Sequence, residues 1–124
     1  MSIPDVSNEE NVYKDFPERF PNLYSNGMYF ECGPGWRKII EDLSTKLEKL
    51  IVEMKVINPF PLCYAVQVKE KFGTLRFYMN SCTDEMDRLI EEAEALSAKT
   101  CEVCGNEGHI RPGKWIQTLC ERHA

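Results

Sequence analysis

Four residues near the carboxyl end constrain this chain more than any other feature in it. Cys101 and Cys104 open the run Cys101-Glu-Val-Cys104-Gly105, and Cys120 and His123 close the run Cys120-Glu-Arg-His123. A Cys-x-x-Cys-Gly turn folds two sulfurs toward one point, and the glycine lets the backbone double back behind them. Cys120-x-x-His123 supplies a second pair at the same short spacing. Zn²⁺ takes four such ligands in a tetrahedron, and two half-sites at this spacing predict a structural zinc site. Three sulfurs and one imidazole leave no open position for water, so the ion holds structure and performs no chemistry. The alternatives are a reduced Cys-x-x-Cys pair beside two unrelated residues, or a redox site. No βαβ pattern surrounds Cys101 and Cys104 to support the second.

The segment between the ligand pairs contains Gly105, Gly108, Pro112 and Gly113. It predicts two short strands near His109–Arg111 and Lys114–Thr118, joined through Pro112-Gly113. Residues 100–124 hold few large apolar groups, so without metal this segment is expected to be loose. His109 is the rival ligand and reads as a surface histidine.

The remaining cysteines are Cys32, Cys63 and Cys82, an odd number that argues for a reducing compartment over a disulfide framework. The acidic N-terminus, from Met1 to Glu10, has no apolar stretch of the signal-peptide kind. No apolar run is long enough for a membrane helix. A cytoplasmic location is the expectation. Hydrophobic residues make up 43% and charged residues 28%, which suits one compact unit with a real core. The net charge of −5 lacks the cationic footprint of a nonspecific nucleic-acid binder.

The body is expected over residues 1–99, with the metal module at 100–124 docked on it. Residues 1–11 read as a mobile polar leader. The aromatic-rich stretch 12–31 is broken by Pro17 and Pro21 and reads as a helical turn at 17–20, a loop through Asn26-Gly27 and an extended piece, laid over the core. Cys32-Gly33-Pro34-Gly35-Trp36 is a turn into the first long helix, with Pro34 suited to its first position. Trp36, Ile39, Ile40, Leu43, Leu47, Leu50, Ile51 and Met54 recur at helical steps, so the helix runs to about 54 and stops before Asn58-Pro59-Phe60-Pro61. Residues 62–80 alternate as a β-hairpin turning at Phe72-Gly73, pairing Lys71 with Thr74, Val68 with Phe77 and Val66 with Met79. That register sets Lys69 opposite Arg76 with Lys71 nearby, the one basic concentration in the chain and a candidate anion- or partner-binding site. An acidic residue from a helix or the tail is expected over it. Thr83-Asp-Glu caps a second long helix with a buried stripe at Met86, Leu89, Ile90, Ala93 and Leu96. The fold class is therefore α+β: two main helices on an antiparallel hairpin or small sheet, followed by a zinc-ribbon-like module.

Four stretches carry a resemblance: Glu18-Arg-Phe-Pro-Asn-Leu-Tyr24, Glu31-Cys-Gly-Pro-Gly-Trp36, Val66-Gln-Val-Lys-Glu-Lys-Phe-Gly-Thr-Leu-Arg-Phe-Tyr78 and the tail 101–124. Together they resemble a family of small proteins encoded by bacteriophages and prophages. The resemblance implies a phage context and a zinc tail, and no reaction. The tail also resembles a treble clef, although with Ala124 one residue after His123 a ribbon-like module is the closer expectation.

Three function classes follow. The first is a non-catalytic phage protein that occupies the surface of a host protein, for example as an anti-CRISPR-like inhibitor of a bacterial defence system. The second is a nucleic-acid-binding zinc protein that uses Lys69, Lys71 and Arg76, which the acidic balance disfavours. The third is an HNH-like nuclease with His109 as base, for which Asn106 and Glu107 are poorly spaced. Gly33-Pro-Gly35 is too short to cradle a phosphate. With two histidines, one assigned to metal, no nucleophile–histidine pair can be argued.

Overall fold

The computed structural model describes residues 12–58 and 63–124. Its elements are α1 (Phe16–Arg19), β1 (Phe30–Glu31), a 3₁₀ turn (Pro34–Trp36), α2 (Arg37–Ile57), β2 (Ala65–Lys71), β3 (Thr74–Met79), α3 (Asp84–Ser97), β4 (His109–Arg111) and β5 (Gln117–Leu119). The leader over 1–11 and the Pro59-Phe60-Pro61 segment lie outside the described residues.

The chain is α+β, with a three-stranded sheet β1-β2-β3 and a separate two-stranded β4-β5 hairpin. The helical stripes fold as their spacing dictates except at Leu96, which lies in the last turn of its helix and is 51% exposed instead of buried. Trp36, Ile40, Leu47 and Ile51 of the first stripe and Met86 and Ile90 of the second are buried in one core with Val68, Leu75 and Phe77 from the sheet. Thr83 caps α3, its Oγ1 accepting from the Met86 N–H at 3.2 Å. α3 also seals the open edge of β3. The Ser97 hydroxyl accepts from the Leu75 N–H at 2.8 Å, and the Glu94 carboxylate accepts from the Phe77 N–H at 3.0 Å. Two donors that would otherwise template another strand are thereby satisfied.

The aromatic stretch is an arm over this core. Tyr13, Phe16, Phe20, Leu23 and Tyr24 are buried, while Tyr29 stays exposed. Glu48 of α2 clamps the arm, accepting from the Leu23 N–H at 2.9 Å and the Asn22 side-chain amide at 2.7 Å. The extended piece after Gly27 turns out to be β1, which pairs parallel with β2 through Phe30↔Val68 and Glu31↔Lys69.

The β2–β3 turn falls at Phe72-Gly73 with Lys71↔Thr74, Lys69↔Arg76 and Val68↔Phe77 opposed. The register then shifts between Ala65 and Gln67, so Ala65, and not Val66, faces Met79. The extra residue of this β-bulge turns Val66 outward, 37% exposed, and sends Ala65 into the core. In the C-terminal hairpin the second strand is Gln117–Leu119, three residues later than its predicted start. The pairing His109↔Leu119 lets Leu119 pack beside Cys101 and Cys120, and this burial sets the register.

Candidate metal centre

The residues after α3 form a tight knuckle. The Gly105 N–H donates to the Cys101 carbonyl at 2.9 Å, and the Cys101 N–H donates to the Asn106 carbonyl at 2.7 Å. Closing so short a loop requires a left-handed residue, and Gly105 has φ +87°. Thr100 then bridges to Glu107, and β4 and β5 bring Cys120 back beneath the knuckle. A short turn, His123 N–H to Cys120 carbonyl at 3.2 Å, places the imidazole beside the sulfurs.

The ligating atoms of Cys101, Cys104, Cys120 and His123 all lie within 4.8 Å of one another. Cys104 Sγ is 3.7 Å from Cys120 Sγ, and His123 Nδ1 is 3.2 Å from Cys120 Sγ and 3.7 Å from Cys101 Sγ. A tetrahedral ion about 2.3 Å from thiolate sulfur and about 2.0 Å from imidazole nitrogen sets edges of about 3.8 Å (S···S) and about 3.5 Å (S···N). The donor set and its spacing fit a metal ion. His109 is exposed on β4 and stands outside the cluster.

The electrostatics separate these sulfurs from the others. Burial opposes ionisation of Cys101, but the backbone N–H groups of Cys120, Cys104 and Val103 outweigh it and bring the thiol down to about 6. Cys120 is likewise lowered: burial works against it, and the His123 side chain and backbone work for it. His123 is raised by its contacts with Cys120 and Cys101. Cys104 is raised: the backbone of Asn106 lowers it, but burial and the neighbouring thiols of Cys120 and Cys101 prevail. Four groups competing for shared protons are what a cation would relieve. Burial instead pushes Cys32 up to about 12 and Cys82 up to about 11, so these remain thiols.

The module has almost no core of its own. Its buried cluster is Cys101, Leu119 and Cys120, two of them ligand candidates. What fixes it to the body is a seam at Gly33-Pro-Gly35-Trp36, whose pattern predicts only a helix-opening turn. The Gly35 N–H donates to the Glu102 carbonyl at 2.7 Å, the Gly33 N–H to the Glu102 carboxylate at 2.8 Å, and the Trp36 indole to the Thr100 carbonyl at 2.9 Å. A Cβ on Gly35 would lie 2.1 Å from the Cys101 carbonyl oxygen, so only glycine allows this approach. On the far side Thr118 Oγ1 donates to the Gly73 carbonyl at 2.6 Å, joining β5 to the β2–β3 turn. The Gly-Pro-Gly-Trp run was the available signal, since two glycines beside a tryptophan suit a close backbone contact.

Lys69, Lys71 and Arg76 lie on the sheet, apart from the sulfur cluster. The acidic cover expected over them is missing among the described residues, where no carboxylate forms an ion pair with any of the three. The reason is that α3 commits Glu94 to the strand edge and Glu102 is drawn to Gly33. No helix among the described residues is long and apolar enough to cross a membrane. Compared with protein-family models, curated proteins and solved structures, the chain matches none of them.

Proposed function

We propose that Cys101, Cys104, Cys120 and His123 hold one Zn²⁺ as a structural staple, and that the protein acts by binding a host protein and performs no catalysis itself. The observation that carries this reading is the module's apolar cluster, in which two of the three buried residues are ligand candidates. The ion takes the place of an apolar interior, as structural zinc does in small modules. Three thiolates with one imidazole favour zinc over the hard cations, which prefer oxygen. All four positions are taken by protein atoms, so no site is left for substrate or water.

The four stretches that resemble phage and prophage proteins supply the context. A small rigid protein with exposed aromatic residues suits a role in occupying a surface of the bacterial host, with an enzyme of host defence as the target class. The test is capture of host proteins on the zinc-loaded chain, followed by reconstitution of a purified candidate at fixed stoichiometry. A defined complex that inhibits the captured enzyme supports the reading. Metal-dependent strand cleavage by the protein alone, lost in His109→Ala, would replace it with the nuclease reading.

A further inference from the structure

The helices cover one face of the three-stranded sheet, where Val68, Leu75 and Phe77 are buried. Alternation along the strands places Lys69 and Lys71 of β2 and Arg76 and Tyr78 of β3 on the other face. Lys69 and Arg76 sit directly opposite each other, and like charges so placed repel. Neither has a carboxylate partner among the described residues, and Arg76 Nε is buried with no hydrogen-bond partner there. Glu31 stands beside Lys69 on β1 and brings one negative charge to this face, its Oε1 accepting from the Gln67 amide at 3.3 Å. Three cations, Lys69, Lys71 and Arg76, thus face one carboxylate, Glu31, and the sheet face keeps an excess of positive charge.

Exposed aromatic rings lie on this face and around the turn end of the sheet. Phe72 is 66% exposed and holds φ +54°, a backbone conformation that bulky residues avoid. Lys71 Nζ lies 5.7 Å from its ring centroid, which puts the ring on the cationic side. Tyr78 is 41% exposed. Ile116 and Gln117 pack against Gly73, which brings Trp115, 76% exposed, to the same end of the sheet. Glu31 apart, the acids of this region are elsewhere: Asp84, Glu85, Asp87, Glu91 and Glu92 are exposed on α3. The net charge of −5 is therefore a poor guide to this face.

We propose that this half-exposed sheet face binds single-stranded nucleic acid, with Lys69, Lys71 and Arg76 on phosphates and Tyr78, Phe72 and Trp115 stacked on bases. Cations alone would fit any acidic partner. Cations interleaved with exposed rings are what an unpaired strand uses, since each base presents a face to stack. The site is independent of the host-protein reading and stands if that reading fails.

The test is fluorescence anisotropy with the zinc-loaded full chain and a labelled oligo-dT of about 15 nucleotides over a salt series. The expected result is saturable binding whose log affinity falls with log salt at a slope of about −2, the value for three neutralised phosphates on a single strand. Trp115→Ala and Phe72→Ala each weaken binding about tenfold or more, because each removes a stacking platform. Lys69→Gln and Lys71→Gln each reduce the salt slope by about 0.7. All four positions are at least partly exposed, and circular dichroism with zinc content confirms that the variants are folded. Absence of binding at about 100 µM protein, far above the affinities such sites reach, overturns the proposal. So does affinity indifferent to Trp115 and Phe72, or polyglutamate competing as well as oligo-dT, which would make the face a dock for an acidic protein.

Discussion

Gly35→Ala isolates the seam between the metal module and the body. The added Cβ would stand 2.1 Å from the Cys101 carbonyl oxygen and 2.6 Å from the Glu102 carbonyl carbon and oxygen, all backbone atoms that cannot swing aside. The two segments must part, and three hydrogen bonds part with them: Gly35 N–H to Glu102, Gly33 N–H to the Glu102 carboxylate, and Trp36 indole to Thr100. Two neutral bonds at about 1 kcal/mol each and one to a carboxylate at about 2 kcal/mol total about 4 kcal/mol. For a chain of this length each kcal/mol moves the melting temperature by about 4 °C, so a fall of about 15 °C is expected. The clash falls on the backbone of Cys101 and not on its sulfur, so zinc content is expected to stay at the wild-type value. The indole of Trp36, fully buried in the native protein, loses its partner, and its fluorescence shifts to the red. Thermal melting, emission spectra and metal analysis on one preparation decide the matter. A melting temperature within about 2 °C of wild type would show that the glycine approach is not what joins the two parts.

Further outcomes follow from the same geometry. Cys101→Ser or Cys120→Ser removes a ligand worth a share of the roughly 10–16 kcal/mol that such sites contribute, so amides of β4 and β5 lose hydrogen-exchange protection while those of β2, β3 and α2 keep theirs. Without metal, the Cys101 thiol is opposed by burial but held down at about 6 by the surrounding backbone N–H groups, below its ordinary value of about 9. A lowered folded-state value means stability is fully present above about 9 and lost as pH falls through about 6, so the apo module loosens over that window. A metal-free denaturation series across pH reads this out, and protons competing for the thiolates release the ion from the loaded protein in acid. Ser97→Ala leaves the Leu75 N–H buried without its partner and costs about 1–3 kcal/mol in urea denaturation.

Much of this architecture was legible because periodicity and caps act locally. The stripe from Trp36 gave α2, Thr83 gave the start of α3, and the alternation around Phe72-Gly73 gave the hairpin and most of its register. What failed depended on distant contacts. Val66 and Ala65 are indistinguishable as apolar neighbours until the core selects one, and the bulge records that choice. A strand of two residues, Phe30–Glu31, has no pattern to detect and exists because β2 offers it an edge. The ligand quartet could be proposed from spacing alone, since paired half-sites are short-range signals. The seam at Gly33, Gly35 and Trp36 could not, because its partners lie more than 60 positions away along the chain. The acidic cover over Lys69 and Arg76 was a reasonable expectation from charge balance, but Glu94 and Glu102 satisfy backbone donors instead.

Metal analysis of the purified chain combined with zinc-edge X-ray absorption tests the central claim most directly. One zinc per chain, with a shell of three sulfurs at about 2.3 Å and one nitrogen at about 2.0 Å, is the predicted result. A chain without stoichiometric metal that melts unchanged after chelation, or a shell dominated by oxygen, would contradict it.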